Sequence, residues 1–132
     1  MSAVLERTDQ RTTSVDVILR TLLAYDEVVG VVAVNTDGLV MGSAGMTETD
    51  VDIVSLLGAS LTGVAERTTR RLGTGSALGL SLITTDGMIT IGNGGDFAVM
   101  VFSAHCDAVT LLKALDEPIS QIRAIVDPAR TS

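Results

Sequence analysis

The sequence predicts an α+β domain with the element order α-β-β-α-β-β-β-α. Two similar glycine-bounded segments, residues 30–42 and 79–92, each have the form of a β-hairpin. A third turn at residues 93–96 precedes another apolar strand, which brings the number of strands to five. Between the hairpins lies a long segment with apolar residues at helical spacing. A chain of 132 residues fits one domain.

The chain begins with a polar stretch and then a first helix. Residues 1–11 are predicted to form a flexible arm, residues 12–127 a single domain and residues 128–132 a tail. Val15, Leu19 and Leu22 recur at helical spacing, and either Thr13 or Ser14 suits the helix N-cap.

The two hairpins share a Thr-Asp-Gly turn. Their sequences are GVVAVNTDGLVMG and GLSLITTDGMITIG. Gly38 and Gly87 are expected to supply the positive φ that such turns require, with Asp37 and Asp86 at the tips. Residues 28–34 are apolar at nearly every position, which predicts a central strand covered on both faces. The last strand is predicted at residues 97–102.

Two further helices follow from capping and breaking signals. The long helix is predicted to start at Thr49, or alternatively at Thr47, and to end near Arg71, before Gly73. The last helix is predicted to start at the cap Asp107 and to continue, kinked, through Pro118.

Composition restricts the partners. The net charge of −7 and pI near 4.4 argue against nucleic acid, because phosphate binding needs a basic surface. No apolar stretch is long enough for a membrane span. Cys106 is the only cysteine, which fits a reducing cytoplasm. Hydrophobic residues make up 46% of the chain, and this predicts apolar surface buried between subunits.

The sequence offers few candidate catalytic residues. His105 and Lys113 are the only residues of their types, and Cys106, adjacent to His105, would point to the opposite side of an extended segment. Asp37 and Asp86 are explained as turn residues. No glycine-rich segment has the lysine and helix of a P-loop. We therefore predict no enzyme activity, no metal site and no cofactor.

The long helix and the third strand, residues 78–84, predict an interface instead. The apolar arc of the helix is wider than a one-sided helix needs, and the strand has neither charge nor proline to protect a sheet edge. Gly58 and Gly63 suggest close approach by a second subunit. Leu61→Glu is predicted to give monomers. The expected dimer- or partner-binding residues are Val54, Leu56, Leu57, Gly58, Leu61, Val64, Arg67, Arg70, Arg71, Leu78, Leu80 and Leu82.

The paired hairpins and the intervening helix resemble the roadblock/LC7 family, in particular its bacterial members. The resemblance spans about residues 14–126. It implies a five-stranded antiparallel sheet with the long helix on one face and two helices on the other. It also implies dimers built on the long helix and the third strand, and a cytoplasmic role in regulating or scaffolding a small Ras-like GTPase. Similar actinobacterial proteins are encoded beside a sensor kinase and a small GTPase, in clusters called conservons.

Several alternatives remain open at this point. A small-ligand sensor of the PAS or GAF kind shares a five-stranded sheet with flanking helices. Arg67, Arg70 and Arg71 suit an acidic partner, but they also suit the negative end of a helix dipole. The residues do not decide between a homodimer and a heterodimer, or which flank of the long helix meets the other subunit.

Overall fold

A computed structural model describes residues 14–127. The predicted arm and tail and the alternative cap Thr13 lie outside the described residues. Within them, five strands form one antiparallel sheet in the order β2-β1-β5-β4-β3. The strands are β1 (Val28–Asn35), β2 (Val40–Ala44), β3 (Gly79–Ile83), β4 (Met88–Asn93) and β5 (Phe97–Ser103).

The helices of the described chain follow the predicted order. They are α1 (residues 14–20), which continues into a 3₁₀ turn (Thr21–Ala24), α2 (Glu48–Leu72), α3 (Ala108–Ala114) and α4 (Asp116–Val126). The cap of α2 is Thr47 and not Thr49, since the Thr47 hydroxyl accepts a hydrogen bond from the Asp50 amide at 3.3 Å. Gly73 ends the helix in the left-handed conformation, at φ 69°.

The helices divide between the two faces of the sheet, as predicted. Against one face, α1, α3 and α4 bury Leu19, Leu115 and Ile122 completely. Against the other face, α2 packs through Val54 and Leu61 on a smaller cluster. β1 runs between β2 and β5 and is buried along nearly its whole length, which confirms the predicted central strand.

The last helix is divided where one kinked helix was predicted. α3 ends at Ala114 and α4 starts at Asp116, with Leu115 between them in a helical conformation. Pro118 has no amide hydrogen to donate to the Ala114 carbonyl, and its ring crowds that carbonyl. The interruption therefore lies one turn before the proline. Ile119 resumes the pattern by donating to the Leu115 carbonyl at 2.9 Å.

The two Thr-Asp-Gly turns differ. Gly38 has a φ of 84°, as predicted, whereas Gly87 is not among the described glycines with positive φ, so that expectation was wrong. A side chain on Gly87 would instead meet the Ser103 carbonyl oxygen of β5, 2.7 Å from an ideal Cβ. Glycine is needed at position 87 because the neighbouring strand passes so close.

Candidate partner-binding surface

The side of α2 that packs on the sheet is made of small residues. Val51, Ser55 and Gly58 are its buried positions, and Thr62 continues the same row. A Cβ on Gly58 would collide with the sulfur of Met100 on β5. The helix therefore lies close to the sheet, and it leaves little room there for large side chains.

The large apolar side chains of α2 point away from the sheet. Their exposed fractions are high for leucine, isoleucine and valine: 59% for Ile53, 61% for Leu56, 56% for Leu57 and 51% for Val64. We call the side formed by Ile53, Leu56, Val64, Arg67 and Arg71 the outer face. Side chains of this size normally avoid water, and their clustering on one helix forms an exposed apolar patch of the kind found at protein contacts.

The small polar residues of α2 lie opposite its large apolar ones. On a helical wheel, Ser55 and Thr62 point away from Ile53 and Val64. The structure buries Ser55 to 2% exposure, and its hydroxyl donates to the Asp52 carbonyl at 3.1 Å. A hydroxyl satisfied within its own helix is compatible with burial, so the small polar side faces the sheet.

The predicted close approach at Gly58 is made within the chain. Gly58 is buried against Met100 and is not accessible to a second subunit in this structure. Gly63 lies beneath the guanidinium of Arg67, whose Nη1 is 3.2 Å from an ideal Cβ. Neither glycine requires a partner helix to explain it.

One flank of α2 faces β3, and together they form an open apolar trough. Val54 and Leu61 on the helix are only partly buried, as are Leu80 on β3, Ile89 on β4 and Phe102 on β5, and all of them pack against the same cluster. Leu57 projects from this flank, one turn from both Val54 and Leu61. We call this surface the β3 trough. It lies along the flank of α2 beside the open edge of the sheet.

β3 forms the free edge of the sheet beside this trough. Its neighbour on one side is β4, and no strand of the described chain lies on the other side. Leu82 is 40% exposed, Leu78 just before the strand is 83% exposed, and Leu80 is half-buried. Among the expected interface residues, those on β3 and those on α2 are thus adjacent parts of one surface.

The three arginines lie at the C-terminal end of α2. Arg67 and Arg71 are exposed on the outer face. Arg70 lies 3.8 Å from Glu66, and the Glu66 carboxylate also accepts a hydrogen bond from the Asn93 side chain. The hydrogen bond between Glu66 and Asn93 holds the C-terminal part of α2 over the end of β4. Arg67 and Arg71 are thus presented beside the apolar outer face, where a partner carboxylate could reach them.

A polar cleft of about 410 Å³ lies along the other flank of α2. It separates the helix from the ends of β1 and β4, and its lining includes Asn35, Ser60, Arg67 and Asn93. Asn35 and Asn93 are engaged in their own turns, where each side-chain oxygen accepts a backbone hydrogen bond. Glu66 also lines the cleft, and its carboxylate accepts a hydrogen bond from the Asn93 side chain.

The residues considered for chemistry occupy structural positions. His105 Nε2 lies 2.7 Å from the Thr84 carbonyl oxygen, at the end of the sheet. The Cys106 thiol is partly buried, 3.8 Å from the Ser103 hydroxyl. Within residues 14–127, no three His, Cys, Asp or Glu side chains cluster closely enough to hold a metal ion. Asp37 lies at a hairpin tip, where its amide donates to the Asn35 side chain.

Sequence reasoning missed several members of the surface. Ile53 was within the apolar stripe but was not selected, although it is more exposed than Leu57. The trough residues Ile89 and Phe102 were also missed, as was Ile83, which is 74% exposed at the end of β3 but lies on the α3 side of that strand. Alternation within β4 and β5 would have placed the last two on the α2 side of the sheet.

In this α+β domain, α2 packs on the sheet through small residues and leaves its large apolar side chains exposed. Such an arrangement is typical of domains that bind other proteins. The family comparison agrees: the Roadblock/LC7 domain model matches residues 14–104. The chain belongs to the Roadblock/LC7 family, a family of regulatory domains. No protein of curated function matches it.

Solved structures show the same fold. A Roadblock/LC7 domain from Streptomyces avermitilis is 17% identical, with a TM-score of 0.78, covering 84% of this chain and 96% of its own. MglB of Myxococcus xanthus is 14% identical, with a TM-score of 0.76, covering 89% and 90%. MglB in a tetrameric arrangement is 15% identical, with a TM-score of 0.67, covering 98% and 94%. Among the helices of residues 14–127, none is long and apolar enough to cross a membrane.

Proposed function

We propose that this chain is a non-catalytic, homodimeric scaffold or regulator that binds a small Ras-like GTPase in a cytoplasmic bacterial signalling cluster. One observation carries the proposal: α2 seats itself on the sheet through small residues and turns Ile53, Leu56, Leu57 and Val64 outward. Burying these four side chains would stabilise the folded domain. Their exposure is therefore unfavourable for a monomer and is explained if a partner covers them.

Two neighbouring surfaces suit two partners. The β3 trough lies at an unprotected sheet edge and suits a second copy of the chain, which would extend the sheet and bring a second α2 beside Leu57 and Leu61. The tetrameric arrangement of the related MglB supports self-association. The outer face remains uncovered after such pairing, and its mixture of leucine and arginine suits a protein partner.

Membership of the Roadblock/LC7 family supports the choice of a GTPase as that partner. The resemblance found in the sequence implies regulation of small Ras-like GTPases, and the family assignment rests on most of the chain. The arginines at the end of α2 would meet acidic groups of the GTPase. The expected interface residues Leu56, Val64, Arg67 and Arg71 belong to this contact.

The dimer is tested by substituting Leu57 and not Leu61, because Leu61 also packs on the chain's own cluster. Leu57→Glu is expected to give folded monomers, since pairing would bury an uncompensated carboxylate. Val17→Glu is a matched control, because Val17 on α1 has the same 56% exposure as Leu57. Size-exclusion chromatography with light scattering measures the mass. A dimeric Leu57→Glu variant would contradict the proposed dimer.

The GTPase contact is tested on protein that remains dimeric. Purified small Ras-like GTPases of the host, loaded with GDP or a non-hydrolysable GTP analogue, are titrated by calorimetry. Leu56→Glu is expected to weaken binding by at least about tenfold, the effect of losing one buried leucine. Val29→Glu, at a position 66% exposed on β1, should have no effect. Binding to none of the GTPases in either nucleotide state would refute the proposal.

A further inference from the structure

The free edge of β3 presents a fixed set of backbone groups. The Leu78 carbonyl accepts a hydrogen bond from the Asn93 amide at 3.0 Å, and the Thr84 amide donates to the Gly87 carbonyl at 2.8 Å. Successive residues of a strand direct their backbone groups to opposite edges. Even-numbered residues of β3 therefore bond to β4, and the groups of Gly79, Ser81 and Ile83 point away from the sheet.

We infer that two copies of the chain join β3 to β3 in one antiparallel register centred on Ser81, with Ile83 of each copy seated over Gly79 of the other. The inference rests on the proposed dimer and specifies its geometry. A two-fold axis at Ser81 pairs Gly79 with Ile83 and Ser81 with itself, so all three outward residues form hydrogen-bonded pairs. An axis at Leu80 or Leu82 would pair only two of the three.

The side chains on the α3 side favour the same register. Gly79 faces α3, since an ideal Cβ there would lie 2.5 Å from Leu112 Cδ2. A groove of about 710 Å³ lies beside it. Its apolar lining includes Leu78, Val109 and Leu112, and the charged residues Lys113, Asp116 and Arg123 line it as well. Ile83 projects on the same side of the strand and is 74% exposed. Residues directly opposite in an antiparallel pair share a face, so Ile83 of one copy enters the groove of the other.

The α2 side of the seam is complementary as well. In the register centred on Ser81, Leu80 of one copy lies opposite Leu82 of the other. Leu80 already pairs with Ile91 on β4, and Leu82 pairs with Ile89. The seam thus extends two rows of apolar side chains from one sheet into the next, beneath the β3 trough. No charge within residues 78–84 opposes this pairing.

Single cysteines test the register directly. In a Cys106→Ser background, which removes the only native thiol, Ser81→Cys, Leu80→Cys and Leu82→Cys are oxidised separately. Directly opposite, hydrogen-bonded residues have Cα atoms about 5.5 Å apart, within disulfide reach, whereas diagonal neighbours are about 7–8 Å apart. Ser81→Cys is expected to form the covalent dimer readily and the other two poorly, as measured by non-reducing electrophoresis.

The outcomes separate this inference from the proposed function. Preferential cross-linking of Leu80→Cys or Leu82→Cys would overturn the register but leave the dimer intact. A dimer by light scattering that none of the three cysteines cross-links would overturn β3 pairing itself. A monomeric parent protein would refute both proposals.

A second variant tests the contact of Ile83 with the groove. Ile83→Ala is expected to raise the dimer dissociation constant about a hundredfold, because each of the two equivalent contacts is worth about tenfold. Val17→Ala, at an exposed position on α1, is the matched control. An unchanged dissociation constant for Ile83→Ala would exclude the seating over Gly79.

Discussion

The two edges of the sheet are built from similar hairpins but are finished differently. At the β2 edge, the Asp16 carboxylate of α1 accepts a hydrogen bond from the Ser43 amide at 2.8 Å, and Val15 packs over Gly42. At the β3 edge, an uncharged strand leaves Leu82 and Ile83 exposed. At the β2 edge, a side-chain carboxylate thus accepts a hydrogen bond from an outward backbone amide. At the β3 edge, the outward backbone groups are available to another strand.

This asymmetry limits assembly. A sheet with two open edges can add copies at both and grow into a fibre, whereas a sheet with one open edge stops at a pair. In the proposed dimer the two similar hairpins therefore serve different roles, and α1 is the element that distinguishes them.

The largest effect is expected from proline on the open edge. Ser81→Pro removes an outward amide but no hydrogen bond to β4, so the chain should fold and the dimer dissociation constant should rise more than about a hundredfold. Leu80→Pro is the contrasting variant, because it removes an amide that faces β4 and should disturb the fold itself. Light scattering and circular dichroism measure the two effects. Ser81→Pro that still dimerises with unchanged affinity would argue against β3 pairing.

A smaller effect is expected at the protected edge. Asp16→Ala leaves the Ser43 amide without its carboxylate partner and should lower the free energy of unfolding by about 1–2 kcal/mol. The dimer dissociation constant should stay the same, because the proposed dimer pairs through β3 and not through β2. Urea unfolding measures the first quantity, and Asp16→Asn, which keeps an acceptor, should recover part of the loss. Loss of the dimer in Asp16→Ala would contradict the division of roles.

The smallest effect concerns α3, the helix beside the open edge. The Asp107 carboxylate accepts from the Thr110 hydroxyl at 2.8 Å and from the Val109 amide at 3.1 Å, and these hydrogen bonds lower the pKa of Asp107 below its ordinary value of 3.8. The ionised form is thus favoured by folding. Its stabilising effect is complete above pH 3.8 and is lost as the pH falls through the lower folded value.

The amide signal of Val109, followed by NMR during acidification, should therefore reach its midpoint below pH 3.8. Asp107→Asn keeps a capping oxygen and should abolish this titration without melting α3 at neutral pH. A midpoint at or above the ordinary value would show that the hydrogen bonds do not favour the ionised form.

Much of the fold was predictable from local signals. Strand number, hairpin pairing and the end of α2 at Gly73 follow from turn chemistry and hydrophobic period, which act over a few residues. The two failures have causes that the apolar spacing does not contain. Gly87 is required by the close passage of β5, and the break at Leu115 reflects crowding of a carbonyl four residues before Pro118, so neither appears in a pattern of apolar spacing.

The sequence predicted several apolar residues of the candidate surface, but it did not predict which side of α2 faces the sheet. Leu56, Leu57 and Val64 stood out because they are apolar, but so did Gly58, which the structure buries against Met100. A helical wheel orders residues around an axis and does not show which side meets the sheet. Ser55 and Thr62 face the sheet because small side chains permit close packing, a preference that depends on the bulk of the opposing strands.

By itself the sequence determined the elements of this protein, their order and an excess of apolar side chains on α2 and β3, because these properties depend on neighbouring residues. Only the tertiary structure decided which side of α2 is left uncovered, which of its flanks lies beside β3 and which backbone groups of that edge are free. These depend on contacts such as Gly58 with Met100 and Asp16 with Ser43, which join residues far apart in the chain.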